Sequence, residues 1–354
     1  MPRKAWLALE NGLVYEGLSV GAEGAAEGEV VFSTSMTGYV ETLTDPSYWG
    51  QIVVATHPHV GNHGVQPSDR QWERVAASGF VVADSDSPDC EGEGGLSLRR
   101  FLVHDRIVAA AGLPTRGLAL EIRKAGALRG VLTTEKASSR ALLARARKVP
   151  AMAGRSLAHI VSVPAPRVYG RSRRRVALWD FGAKRALIDS LIEAGVSVKA
   201  FPSRASAQDL LEELPEAVVL SSGPGDPAAM RPEIETAREL LRAGVPLLGV
   251  CLGHQLLGLA AGASRLKLRF GHHGSNHPVT DLEAGRVLIT TQNHGFALRS
   301  GSLPSGCRET HRSLDDGTLE GFRRGRRALG LQFHPEGAPG PREARELVRR
   351  FLNG

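Results

Sequence analysis

Leu247-Leu248-Gly249-Val250-Cys251-Leu252-Gly253-His254-Gln255-Leu256-Leu257-Gly258-Leu259-Ala260-Ala261 decides how the second half of this chain folds. Residues 245–250 form an apolar run of strand length. Residues 252–261 are apolar and Gly-punctuated, with Leu256, Leu257 and Ala260 at helical spacing. Cys251 stands at the corner between them. A buried strand turning sharply into a helix pushes the corner side chain out above a sheet, the geometry of a nucleophile elbow. The turn crowds the backbone, and Gly249 and Gly253 relieve that crowding because they carry no Cβ. The helix N-terminus then faces the sulfur and favours thiolate over thiol. Taken alone, a cysteine after an apolar strand reads first as a packed core residue. Two further stretches change that reading.

Val218-Val219-Leu220-Ser221-Ser222-Gly223-Pro224-Gly225-Asp226-Pro227 is a buried strand that ends in a Gly-Pro-Gly turn. Such a turn is either a plain connection or a set of exposed backbone N–H groups, the donors an oxyanion hole requires. Ala328-Leu329-Gly330-Leu331-Gln332-Phe333-His334-Pro335-Glu336 is a second apolar strand with a polar end. Residues i and i+2 of an extended segment share a face, so Glu336 can orient the His334 imidazole. A lone His at a strand end is usually structural, but a His-x-Glu pair in a chain with a Gly-x-Cys-x-Gly corner points to nucleophilic catalysis.

In order and spacing, the three motifs resemble the class I glutamine amidotransferase family. They are Gly223-Pro224-Gly225-Asp226-Pro227, Gly249-Val250-Cys251-Leu252-Gly253-His254-Gln255 and Phe333-His334-Pro335-Glu336. The combination is far more specific than any one of its parts.

The 354 residues suffice for two domains, each with its own core. No apolar run is long enough to span a bilayer, and the start Met1-Pro2-Arg3-Lys4-Ala5-Trp6 is not that of a signal peptide. Cys90, Cys251 and Cys307 are too few and scattered for a disulfide framework, so a reducing, cytoplasmic compartment is expected. The net charge of +7 raises a nucleic-acid hypothesis. The basic clusters at residues 171–175, 323–327 and 349–350 are short and dispersed, and no nucleic-acid motif accompanies them. Solvated surface charge is the preferred reading, with neither a nucleic-acid nor a membrane partner expected.

From Val176 onward, strands at residues 176–181, 196–201, 218–221 and 246–250 alternate with helices such as 184–194. That alternation predicts a mainly parallel sheet with helices on both faces and a site at the carboxyl ends of its strands. Returning strands at 287–291 and 317–322 and a last helix over 341–351 complete it. Residues 1–150 read as a separate mixed α/β domain, with strands at 5–9, 13–15, 29–32, 51–55, 80–83 and 107–111 and helices at 96–103 and from 113 to 124. Residues 21–28 read as a flexible Gly-rich loop, since the phosphate-cradling pattern is absent. Residues 133–149 read as a surface helix, and 151–174, with Val163-Pro164-Ala165-Pro166, as a linker to the domain 175–354. His57, His59 and His63 lack the spacing and partners of a metal site.

Phe32-Ser33-Thr34-Ser35-Met36-Thr37-Gly38-Tyr39-Val40-Glu41, Leu43-Thr44-Asp45-Pro46-Ser47-Tyr48 and Pro58-His59-Val60-Gly61-Asn62 closely resemble the N-terminal domain family of carbamoyl phosphate synthetase small subunits. Pro114 stands where that family usually has Asp before Thr-Arg, which puts an N-cap contact in doubt, and Ser33 replaces a common Asn. The resemblance implies an α/β chain. An N-terminal mixed α/β domain precedes a class I glutamine amidotransferase domain with a mainly parallel central sheet and a nucleophile elbow. It implies a glutaminase that forms a Cys thioester, with Cys251 as nucleophile, His334 as base and Glu336 orienting it. Backbone at Gly223, Gly225 and Leu252 would serve the oxyanion and substrate. Ser47, Gln255, Asn293, Gly295 and Phe296 would bind L-glutamine, with Ser47 contributed by the first domain. Residues 271–278, although His-rich, match a family stretch near the glutamine pocket and are read as structural. No metal or cofactor is expected in this chain. ATP, bicarbonate and metal ions belong on a separate large synthetase subunit that would receive the ammonia for carbamoyl phosphate, in arginine and pyrimidine synthesis. Higher-order assembly of such heterodimers is compatible with this reading. The alternatives are a non-catalytic binding subunit of the same fold and an amidotransferase serving another synthetase.

Overall fold

A computed structural model describes residues 3–84, 86–91 and 95–354. Met1 and Pro2, the start of the N-terminal stretch read above, lie outside them. The chain folds as two units, one of Met1–Met152 with Arg269–Gly274, and a second of Ala153–Leu268 with Ser275–Gly354. Among the described residues, no helix is long and apolar enough to cross a membrane.

The first unit is built on a closed barrel. Its strands are β1 (Lys4–Leu9), β2 (Val14–Ser19), β3 (Ala25–Ser33), β4 (Gln51–Ala55), β5 (Gly79–Val81), β6 (Val108–Ala111) and β7 (Leu128–Thr133), in the order β1-β2-β6-β5-β4-β3-β7. Helices α1 (Tyr39–Thr44), α2 (Leu98–His104), α3 (Thr115–Ala125) and α4 (Ser139–Lys148) surround it. Period-two alternation sorts the strand residues. Val31, Val53, Phe80 and Ala109 pack with Phe101 and Leu102 of α2, while Val30, Ile52, Val81 and Val108 pack with Leu118 and Ile122 of α3.

Two expectations are corrected here. Residues 25–28 are not loop. They extend β3 and pair with Gly130–Thr133 of β7, and a Cβ at Gly28 would come within 2.4 Å of the Gly50 carbonyl oxygen. Gly is used there for close backbone approach rather than for flexibility. The helix read over 133–149 starts only at Ser139, because Thr133 closes β7, and it buries Leu142 and Ala146 against Ala8 and Val131. Pro114 occupies the N-cap of α3 with no side-chain hydrogen bond, so that cap contact is absent.

The second unit opens with α5 (Ala158–Val161) and β8 (Arg167–Tyr169), so residues 151–174 carry structure of their own where a linker was expected. Then follow β9 (Arg175–Trp179), α6 (Arg185–Glu193), β10 (Ser197–Phe201), α7 (Ala207–Leu211), β11 (Ala217–Leu220), α8 (Arg231–Ala243), β12 (Leu247–Val250) and α9 (Leu252–Ala261). The long strands β13 (Arg265–Asp281) and β14 (Arg286–Leu298), then β15 (Cys307–Ser313), β16 (Leu319–Arg324), β17 (Ala328–Leu331) and α10 (Arg345–Asn353) complete it. One sheet runs β14-β13-β15-β16-β17-β12-β11-β9-β10-β8. Its centre, from β17 to β10, is parallel; β15 and β16 return antiparallel, as does β8 at the far edge. In β9, Val176 and Leu178 face Leu187 and Leu191 of α6 and Val348 of α10. Ala177 and Trp179 face Leu240 of α8 and Leu256 of α9. The sheet is therefore covered on both faces, and only the strand ends remain to hold a site.

Candidate active site

Strands β12 and β17 are parallel neighbours paired from Leu247↔Ala328 to Val250↔Leu331, so the residues after each emerge at one sheet edge. Cys251 is the residue after β12. Its N–H donates to the Leu331 carbonyl at 2.8 Å, and its backbone sits at φ 53°, ψ −104°. The tightness of this corner has a steric basis. A Cβ on Gly253 would stand 2.1 Å from the Leu220 carbonyl oxygen, and one on Gly249 would stand 2.6 Å from that of Gly253. Only two glycines let α9 press this closely on β11, where the Gly253 N–H donates to Ser221 O at 3.0 Å. The buried Cys251 Sγ lies 3.6 Å from Asn293 O. Being the residue before the first turn of α9, it receives the partial positive charge of the helix N-terminus.

His334 follows β17. Its N–H donates to Thr291 O at 2.9 Å, and its Nδ1 lies 2.7 Å from Glu336 Oε1, both side chains fully buried. The carboxylate can only accept, so Nδ1 carries the hydrogen and Nε2 keeps its lone pair. Nε2 makes no hydrogen bond. That is the tautomer a general base requires.

Sequence reasoning missed the third member of this network. Lys184, fully buried, places its Nζ 2.8 Å from the same Glu336 Oε1 and donates to Ala338 O at 2.9 Å. Burial alone would raise the Glu336 carboxyl. The Lys184 ammonium, helped by His334, overcomes burial and holds it well below the usual carboxylate range. Glu336 is therefore a permanent anion facing the imidazole. Lys184 is positioned by a turn at the end of β9. There Asp180 Oδ1 accepts from the Gly182 and Ala183 N–H groups at 2.9 and 2.7 Å, and its Oδ2 accepts from Val163 N–H at 2.6 Å. The available signal was position: Lys184 follows a parallel strand at the edge that carries Cys251. The amphipathic pattern of α6 assigned it instead to a polar helix start.

Gly223 lies just beyond β11, and a Cβ there would meet Phe181 O at 2.1 Å. Gly225, at φ 107°, faces away toward residues 155–157, where it bridges Ser156. Asp226 fixes this turn by accepting from Gly154 N–H at 2.8 Å and from Arg265 at 2.9 Å. Gln255 spends its amide hydrogens inside the protein, on Phe296 O at 2.6 Å and Gln332 Oε1 at 3.0 Å. It thereby ties α9 to the segment that holds Asn293, Gly295 and Phe296. Gln332 is a further missed member, and a polar residue between Leu331 and Phe333 in an apolar run was its signal. Phe296 is buried, with Lys267 Nζ 4.7 Å from its ring centre. Leu252 opens α9, so its N–H has no helical acceptor before it. In the second unit the structure thus gathers Gly223, Cys251, Leu252, Asn293, His334 and Glu336 around adjoining strand ends. Ser47 belongs to the first unit, in the turn Pro46–Tyr48, where Asp45 accepts its N–H and its Oγ makes no hydrogen bond.

Comparison with known proteins covers both units. Residues 177–353 match the family described as glutamine amidotransferase class-I, and residues 7–132 match the carbamoyl-phosphate synthase small chain, CPSase domain. The carbamoyl phosphate synthase small chain of Thioalkalivibrio sulfidiphilus is 43% identical over 367 residues, covering 98% of this chain and 96% of its own. That of Vibrio cholerae is 41% identical over 371 residues, covering 99% and 98%. That of Photorhabdus laumondii is 42% identical over 371 residues, covering 99% and 96%.

Proposed function

Because the chain belongs to the carbamoyl phosphate synthase small-chain family and carries a class-I glutamine amidotransferase domain, we propose that it is the glutaminase subunit of a carbamoyl phosphate synthase. The observation that carries this reading is the His334–Glu336 pair at 2.7 Å, just past the end of the strand that lies beside the one Cys251 follows.

The Cys251 sulfur attacks the side-chain carboxamide carbon of L-glutamine while His334 Nε2 takes the thiol proton. The C–S bond forms, and the carbonyl electron pair moves onto oxygen. The backbone N–H groups of Gly223 and Leu252 receive that oxyanion; loss of one such donor typically costs roughly a hundred-fold or more in rate. The tetrahedral species collapses, the C–N bond breaks, and His334 returns its proton to the departing nitrogen, which leaves as ammonia. Water, deprotonated by His334, then attacks the thioester. The C–S bond breaks, glutamate leaves and the thiol is restored. Glu336 stabilises the imidazolium formed in each step without itself taking the proton. Asn293, Gly295 and Phe296 are the proposed wall of the glutamine pocket, with Gln255 holding that segment in place.

The ammonia passes to a large ATP-dependent synthetase subunit, where ATP, bicarbonate and metal ions supply the activated carbon. In water ammonia would become ammonium, which has no lone pair to attack with, so delivery must be sheltered. The carbamoyl phosphate would serve arginine and pyrimidine synthesis. Among the described residues no disulfide joins the three cysteines, which suits a reducing compartment, and we assign the protein to the cytoplasm.

The test is glutamate release from L-glutamine by the purified chain, alone and with a carbamoyl phosphate synthase large subunit, ATP and bicarbonate. Strong stimulation by the large subunit, lost in Cys251→Ser, is expected. Release indifferent to the partner would keep the glutaminase and remove the partnership. No release in either condition, from folded protein with its native partner, would leave a non-catalytic binding subunit.

A further inference from the structure

A cavity of about 370 Å³ in the second unit contains none of the residues assigned to glutamine chemistry. Its lining includes His159, Trp179, Ser203, Arg204, Glu233 and Thr236. Trp179 ends β9, Ser203 and Arg204 follow β10, and Glu233 stands in the first turn of α8. The volume is at the lower end of the roughly 300–1,000 Å³ of small-molecule pockets, which suits a free amino acid better than a nucleotide.

The chemistry of the wall is specific. Glu233 is only 8% exposed, and its Oε2 is buried without a hydrogen-bond partner. The α8 N-terminus accounts for a negative charge there, but not for an oxygen left without a donor. Met230, at the N-cap, supplies no capping hydrogen bond either. Arg204 is exposed and lines the same cavity, offering a planar fork of donors matched to a carboxylate. The Trp179 Nε1–H is already used, donating to Ser203 O at 2.9 Å, so the indole offers the cavity its ring rather than its donor. An aromatic wall near an unsatisfied carboxylate favours a cation.

We propose that this cavity binds an α-amino acid as its zwitterion, the ammonium group on Glu233 and the carboxylate on Arg204. The site is separate from Cys251 and does not depend on the glutaminase reading.

The test is binding to the full-length chain, read without turnover. Each of the common amino acids except glutamine and glutamate, which the proposed active site would itself hold, is screened by thermal shift, and those that raise the melting temperature are titrated by calorimetry. Putrescine serves as a cation without carboxylate and acetate as an anion without ammonium. The expected result is at least one amino acid whose affinity falls tenfold or more in both Glu233→Gln and Arg204→Ala, with putrescine and acetate binding far more weakly. Arg204 is exposed, so its variant carries the test should Glu233→Gln fail to fold. Absence of binding by every amino acid screened would overturn the proposal. So would affinity unchanged by both substitutions, or putrescine binding as tightly as the best amino acid.

Discussion

Cys251 is held where an L-residue is poorly accommodated, at φ 53° and ψ −104°. Such conformations cost on the order of 1–3 kcal/mol and persist only when the surroundings enforce them. Cys251→Ala keeps the offending Cβ and Cys251→Gly removes it, while both delete the sulfur. Cys251→Gly should therefore be the more stable of the two by about 1 kcal/mol, even though Gly adds freedom to the unfolded chain. Urea denaturation of the pair decides this, and an equal or higher midpoint for the Ala variant would show that the corner is not strained. A few residues on, fully buried His254 has its pKa pushed down to about 3 by burial, from 6.5. Between those values the unfolded chain holds a proton that the folded chain refuses, so stability falls as pH drops from 6.5 toward 3 and is recovered above 6.5. From pH 7 to pH 5 this one group removes about 2 kcal/mol. His254→Asn should lose about that much less than the parent across the same interval, measured by denaturation at both pH values. Parallel losses would show that His254 is not the group concerned.

The corner at Cys251 works only because α9 is pressed onto β11, and that packing has no room for a methyl group. The obstacle to a Cβ at Gly253 is backbone, Leu220 O at 2.1 Å, which cannot move without shifting the strand. At Gly258, farther along the same helix, the obstacle is the end of the Leu298 side chain, which can turn aside. Gly253→Ala is expected to cost about 1–3 kcal/mol as overpacking and to lower glutamine hydrolysis by displacing Cys251. Gly258→Ala should cost less and keep activity, since Ala also favours the helix. Stability and turnover of the two variants, measured together, separate a positional effect from a general dislike of alanine in α9. The strand–corner–helix pattern was legible because each piece has a local signature: an apolar run, flanking glycines and helical spacing. β3 was only partly legible, because Gly-rich residues 25–28 look like loop until β7 lies beside them. β8 was hidden for a similar reason. A three-residue strand among prolines and arginines gains its structure only from pairing with β10.

At the scale of the whole molecule, matches from residue 7 to residue 353 agree with the order of motifs read along the chain. The two folded units are not simple consecutive stretches of that chain. Arg269–Gly274, in the middle of β13, belongs to the first unit, where Arg269 O accepts from Ala127 N–H at 2.7 Å and Phe270 stacks on Phe32 at 5.9 Å. The sequence by itself determined the parallel sheet, the elbow and the Cys251, His334 and Glu336 candidates, because these follow from periodicity, from punctuation by Gly and Pro, and from residues near one another in the chain. Tertiary structure alone decided the closure of the first barrel, the engagement of the Gln255 amide with Phe296 and Gln332, and the burial of Lys184 against Glu336. Each of these joins residues far apart in sequence. A buried charge declares its partner only when the strands that carry both have been brought side by side.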